Sequence, residues 1–128
     1  MDNYIKSRLE ELKKMKTGWL EGRGVVPKKE DIDWLYQQLE KYYSSDIPTP
    51  LIYPTYAGGV EFDWTFINKS VTLEINIKNH TADYHNLEFD TNFLKCRNLN
   101  LNLKEDWDWF NNQIFEINIE PRTIKNLD

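Results

Sequence analysis

Histidine and cysteine, which can act as general base, nucleophile or metal ligand, occur only in the second half of the chain. The chain has two histidines, His80 and His85, and a single cysteine, Cys96. A cysteine nucleophile needs a nearby histidine as its general base, and only His80 or His85 could act as that base for Cys96. No recognised local signature surrounds these residues, and a structural thiol is the favoured interpretation.

Metal binding is the second chemistry to consider, because His80, Asp83 and His85 are all ligand types. Asp83 and His85 share one face of a predicted strand, and His80 lies in the turn before it. The alternative is a polar turn that leads into an exposed strand. Strong sites rarely rest on so few ligands without a fourth nearby, so we predict no metal and no cofactor.

Two glycine-containing segments could be compared with phosphate-binding loops, which join a strand to a helix. The segment from Gly18 to Gly24 follows a predicted helix, and Gly58 and Gly59 enter a predicted strand. Both are better explained by backbone geometry than by phosphate binding.

Glu61, Asp63 and Glu74 project from one face of a predicted hairpin if its alternation is correct. A two-residue turn at 68–69 places Asp63 opposite Glu74, and the like charges would then favour a basic partner or a cation. A four-residue loop places Glu61 opposite Lys78 and makes the acids ordinary surface residues, which is the favoured interpretation. Both registers keep the apolar face inward, so the sequence leaves both open.

Apolar residues at helical spacing predict three helices. The first runs from about Asn3 to Lys16 and the second from about Lys29 to Tyr43. The third begins near Glu105 and ends at Pro121, because proline supplies no amide donor.

Period-two alternation predicts an antiparallel sheet. Its clearest part is a hairpin of Val60 to Phe66 and Val71 to Lys78, with Trp64 on the buried side. Weaker patterns predict strands at Leu51 to Tyr56, Asp83 to Phe89 and Leu99 to Leu103, the first at a sheet edge because it contains proline. We expect an α+β fold of two N-terminal helices on a sheet of about four to five strands, with a C-terminal helix. Residues 1–120 form the predicted domain, and residues 121–128 a tail.

Composition excludes several classes of function. The 128 residues carry a net charge of -5, which disfavours binding to duplex nucleic acid. A single cysteine rules out an internal disulfide, and no apolar run reaches the ~18 residues of a membrane span. The N-terminus lacks the features of a secretory signal, so a cytoplasmic location is expected.

One part of the sequence resembles a group of small bacterial proteins. The shared elements are Gly18-Trp19 with Gly22, the segment from Pro50 to Pro54, the strand from Gly58 to Trp64, and the strand from Leu73 to Ile77. The resemblance covers roughly the first two-thirds of the chain. It implies a bacterial or mobile-element origin, which the abundance of Asn, Lys, Ile and Tyr also favours, and it implies no activity.

Two tryptophans lie off the apolar stripes of their predicted helices. Trp34 is more than about 90° from the centre of its stripe, and Trp109 is about 120° from the centre of its own. We expect both to face a protein partner or a second copy of the chain, so that alanine substitution would weaken association and leave stability nearly unchanged. The alternative is that loops or another helix cover both rings.

The function expected from these features is that of a non-enzymatic protein-binding module for a basic partner, such as an antitoxin-like, immunity or phage-conflict component. Glu61, Asp63, Glu74, Trp34 and Trp109 are its candidate contacts. The alternative is a small-molecule or nucleotide-binding domain, or a minor enzyme, that uses the region from His80 to His85.

Overall fold

The computed structural model describes residues 2–16, 18–19, 22 and 24–119. The predicted α+β arrangement is confirmed, with two N-terminal helices, an antiparallel sheet of five strands and a C-terminal helix. The elements are α1 (Asn3–Lys13), α2 (Lys29–Tyr42), β1 (Leu51–Pro54), β2 (Val60–Thr65), β3 (Lys69–Asn76), β4 (Thr81–Glu88), β5 (Leu94–Asn100) and α3 (Lys104–Asn118). Pro121 and the predicted tail at 121–128 lie outside the described residues.

Local hydrogen bonds set the ends of α1. An oxygen of the Asp2 side chain accepts from the Tyr4 amide at 2.6 Å, so Asp2 is the N-cap. The helix ends at Lys13, earlier than the predicted Lys16, because the Lys14 amide turns back to the carbonyls of Glu11 and Leu12.

The strands follow one another in the order β1-β2-β3-β4-β5, so the sheet is a simple meander. In its central hairpin Glu61 pairs with Glu74, and Trp64 pairs with Val71. Both predicted registers are therefore wrong. The Phe66 amide donates to the Lys69 carbonyl at 2.8 Å, which closes a turn over Ile67 and Asn68 one residue earlier than expected. The three registers differ by two-residue steps, so all of them keep the same side chains inward.

The edge strands differ from prediction in length. Strand β1 stops at Pro54, and β5 covers Leu94–Asn100 where a shorter strand at Leu99 to Leu103 was expected. The alternation that marks a half-buried strand is absent from β5, because its first five residues are all exposed. Leu101 and Leu103 lie beyond the strand, and Leu103 is the N-cap of α3.

All three helices pack on one face of the sheet around a single apolar core. Phe62, Trp64 and Phe66 lie on that face and are buried as predicted. The rings of Trp64 and Phe110 are 5.4 Å apart, which joins β2 to α3. The helices leave the opposite face of the sheet open, and that face is called the outer face below.

Candidate protein-binding face

Alternation along the strands fixes which side chains reach the outer face. When Val60, Phe62 and Trp64 turn inward, the residues between them turn outward. The polar part of the outer face consists of Glu61, Asp63, Thr65, Ser70, Thr72, Glu74, Asn76, Thr81, Asp83, His85, Cys96 and Asn98, which are all exposed or half-buried. One side of the sheet therefore packs in the core, and the other side is available to solvent or to a partner.

Three carboxylates cross the outer face in a straight row. Glu61 on β2 pairs with Glu74 on β3, and Glu74 pairs with Asp83 on β4. Like charges opposite one another in neighbouring strands are destabilising, so this arrangement costs folding energy. Glu61, Glu74 and Asp83 are called the acidic row.

Asp63 lies beside the acidic row, two residues along β2 from Glu61. Partial burial, together with the hydrogen bond and the repulsion from Asp63 and the charge of Glu74, raises the pKa of Glu61 from 4.5 to about 7. Within the described part of the chain, no donor bonds to Asp63 Oδ1, although this atom is shielded from solvent. Asp63 Oδ1 is therefore an acceptor that a cationic group could satisfy.

At the far end of the sheet, the outer face becomes apolar. The Phe89 amide donates to the Asn68 carbonyl at 3.0 Å, which joins the β2–β3 turn to the β4–β5 connection. Five exposed apolar side chains lie on these two connections and the adjoining strand ends, and together they are called the apolar end: Ile67, Leu87, Phe89, Phe93 and Leu94. Sequence analysis missed this group, although Leu87 and Phe89 share the parity of Asp83 and so continue the outer face of β4.

Trp34 lies on the helical side of the molecule and not on the outer face. Its indole stacks on the His80 imidazole, with ring centroids 3.6 Å apart and an interplanar angle of 3°. His80 is held by a contact of 3.0 Å between its Nδ1 and Asn102 Oδ1. Trp34 is thus half-buried against the core, with one ring face covered by the β3–β4 turn.

Trp109 lies between α3 and the edge strand β5. Its ring meets Tyr84 edge-on at 5.0 Å, and the Arg97 guanidinium is 4.3 Å from its centroid. Lys95 Nζ approaches the same ring at 5.4 Å. Trp109 was predicted to lie off the core face, but it is half-buried and packs against the core, and cationic side chains of β5 partly cover the ring.

The residues considered for catalysis or metal binding do not form a compact site. His85 and Cys96 occupy opposing positions on β4 and β5, yet no hydrogen bond joins the imidazole to the thiol. His80 lies against Trp34, away from Asp83 and His85. Among the described residues, no group of three or more His, Cys, Asp or Glu side chains is placed to hold a metal ion.

The surface around His85 forms only a shallow depression. It is lined by Asp83, His85, Cys96, Asn98 and neighbouring backbone, and its volume is about 150 Å³. Pockets that bury a small-molecule ligand are typically about 300–1,000 Å³. This depression is too small to enclose a ligand of that size.

No protein-family model, curated protein or solved structure matches this chain. The resemblance to small bacterial proteins therefore stays a prediction. In the described residues, no helix is both long enough and apolar enough to cross a membrane.

Proposed function

We propose that this chain is a protein-binding module whose outer face holds the basic surface of another protein. The observation that carries the proposal is the acidic row, three carboxylates in direct cross-strand register on a face that none of α1, α2 and α3 covers. Such a row is costly in the free protein and becomes favourable opposite positive charge. A lysine or arginine side chain of the partner would supply the donor that Asp63 Oδ1 lacks.

The apolar end adds the second half of the recognition surface. Exposed apolar groups that lie together on one face and border charged residues are typical of protein interfaces. Burial of Leu87, Phe89 and Leu94 would provide most of the binding free energy, while the acidic row would set orientation and association rate. The partner expected from this surface presents lysine or arginine side chains beside an apolar patch.

An antitoxin-like, immunity or phage-conflict role is the biological form we propose for this binding. A small acidic module that covers a basic surface suits the neutralisation of a nucleic-acid-binding toxin, since such toxins need a basic footprint. The identity of the neighbouring genes tests this part. A toxin or nuclease gene beside this one would support it, and a conserved metabolic operon would count against it.

The binding surface is tested with two charge-matched triple variants. In the first, Glu61→Gln, Glu74→Gln and Asp83→Asn remove the acidic row. In the second, Glu40, Glu105 and Glu116, which are exposed on α2 and α3, are changed to glutamine. Tagged wild-type chain and both variants are used to recover proteins from the native host, and the bound proteins are quantified by mass spectrometry.

We expect a basic protein that is retained by the wild type and by the helix variant and lost from the acidic-row variant. Raising salt from 50 to 200 mM should weaken its retention, because exposed charges are screened over about 10 Å at 0.1 M. If both triple variants retain the same proteins as the wild type, the outer face is not the binding surface. If only the helix variant loses its partner, the interface lies on the opposite side of the molecule.

The alternative of a ligand site at His80 to His85 gains no specific support from the geometry. Trp34 and Trp109 remain predicted partner contacts, but they belong to the helical side and to the β5 edge. They are therefore separate from the outer-face proposal and are tested separately.

A further inference from the structure

The two edges of the sheet are built differently. On β1 two of the main-chain groups that point away from the sheet are occupied or missing, because Arg8 Nε donates to the Ile52 carbonyl at 2.8 Å and Pro54 has no amide hydrogen. Strand β1 is also only four residues long, whereas β5 has seven. Short strands, proline and covering groups are the usual means of closing an edge, and β1 has all three.

The hydrogen bonds at the two ends of β5 identify which of its main-chain groups point away from β4. The Glu88 amide bonds to the Phe93 carbonyl, and the Leu101 amide bonds to the His80 carbonyl. In an antiparallel ladder, residues that bond to the neighbouring strand alternate with residues that do not. Residues 93, 95, 97, 99 and 101 therefore face β4, and the main-chain groups of Leu94, Cys96 and Asn98 point outward.

The open part of this edge has a defined end. The Asn100 amide also points outward, but it donates to Asp106 Oδ2 at 2.7 Å. Pairing with another strand is thus limited to residues 94–98. Within the described residues, the outward amides and carbonyls of Leu94, Cys96 and Asn98 have no partner, and three such residues are enough to bind an extended segment of about five residues.

A second copy of this chain is a poor occupant of the edge. If two β5 strands paired about a two-fold axis, the three central registers would place Lys95 opposite Lys95, Lys95 opposite Arg97, or Arg97 opposite Arg97. Like charges directly opposite each other are destabilising. Charges on the side chains of an edge strand are also a known protection against self-pairing.

The same two cations favour an acidic occupant. Lys95 and Arg97 lie on the helical side of β5, where Arg97 is partly exposed and is 3.7 Å from Asp106. On the outer side, the exposed Leu94 offers an apolar contact beside the apolar end. We propose that β5 accepts an extended strand of another protein, with carboxylate side chains facing Lys95 and Arg97 and an apolar side chain against Leu94.

The experiment uses the full chain and a blocked peptide of alternating valine and glutamate about seven residues long. Amide hydrogen exchange is measured by NMR with and without the peptide. We expect the amides of Leu94, Cys96 and Asn98 to exchange about tenfold more slowly when the peptide is present at about ten times its Kd. The amides of Lys95 and Arg97 should change little, because β4 already protects them.

Three controls isolate strand pairing and charge. A peptide with lysine in place of glutamate should bind at least about tenfold more weakly, since it brings like charges to Lys95 and Arg97. A peptide methylated on alternate amides should not bind. Cys96→Pro should keep the fold and lose the peptide, because the proline removes an amide hydrogen that points to solvent.

Absence of peptide binding, equal affinity for the lysine peptide, or protection outside 94–98 would overturn the proposal. The methylated peptide keeps the test decisive if Cys96→Pro does not fold. Replacing only Glu61 and Glu74, which lie on β2 and β3, with glutamine should leave peptide binding intact, so a failure at this edge and a failure of the outer-face proposal give different results.

Discussion

At the scale of single residues, Glu61 makes stability depend on pH. Its carboxyl is partly buried, hydrogen-bonds to the neighbouring Asp63 and faces Glu74, and these surroundings raise its pKa from 4.5 to about 7 on folding. Between these two pH values the folded chain binds this proton more tightly than the unfolded chain does. Stability should therefore fall as pH rises through the window, since it falls wherever the native state binds more protons.

The substitution Glu61→Gln tests this expectation. Glutamine keeps the size of the side chain and cannot lose a proton, so the variant should be more stable than the wild type at pH 8. The difference should shrink towards pH 4.5. Denaturant midpoints measured across this range check the trend, with Glu40→Gln on exposed α2 surface as the control. A gain for Glu61→Gln that is equally large at both ends of the range would show that like-charge repulsion is not its source.

Trp64 is the residue whose burial was most clearly predicted by the hairpin pattern. It is 3% exposed, and its indole donates to the Pro48 carbonyl at 2.8 Å. Trp64→Ala should therefore lower the free energy of unfolding by about 3–5 kcal/mol, as is typical for a large aromatic in a core. Thr65→Ala, on the exposed neighbour, is the matched control. Equal shifts in denaturant midpoint for the two variants would contradict the assigned faces of β2.

At the scale of elements, the stack of Trp34 on His80 joins α2 to the β3–β4 turn. The parallel rings at 3.6 Å should contribute about 0.5–1.5 kcal/mol beyond the area they bury. His80 also has φ of 61°, a left-handed conformation that is unusual for a residue other than glycine, so contacts must hold it there.

A double-mutant cycle of Trp34→Ala and His80→Ala measures this contact. We expect a coupling energy of about 0.5–1.5 kcal/mol in chemical denaturation. Trp109→Ala combined with His80→Ala is the control pair and should be additive within about 0.5 kcal/mol. Additive effects for Trp34 and His80 would mean that the stack does not stabilise the fold, and would favour the earlier expectation that Trp34 serves a partner.

The elements also show what the sequence could predict. The fold class, the three helices and the inward faces of β2 and β3 followed from periodicity, because one-sided burial imposes it. The register of the hairpin did not, since shifts of two residues leave that periodicity unchanged. The predicted position of β5 was wrong because an exposed edge strand buries few side chains and so lacks the alternation of apolar and polar residues. The acids of the candidate face were identified, but their alignment into a row with Asp83 depends on that register.

At the scale of the whole molecule, negative charge lies on the outer face and positive charge lies along the β5 edge. The net charge is -5, yet Lys95 and Arg97 place positive charge along the only long edge among the described strands. The acidic row is on the outer face, and these cations are on the helical side of β5. A partner could thus be selected by opposite charges at two neighbouring positions, which gives more specificity than one charged patch.

The same edge cations should keep copies of the chain from pairing through β5. Replacing Lys95 with threonine and Arg97 with valine removes the like-charge contacts and leaves the outward main-chain groups of residues 94–98 available. We therefore expect the double variant to form dimers as its concentration rises, in reducing buffer that keeps Cys96 from forming a disulfide. Sedimentation equilibrium measures the association, and the wild type should show none through this edge.

Adding Cys96→Pro to the double variant should restore the monomer, because the proline removes an amide that the paired strands would share. A double variant that stays monomeric at every concentration would show that Lys95 and Arg97 do not prevent self-pairing.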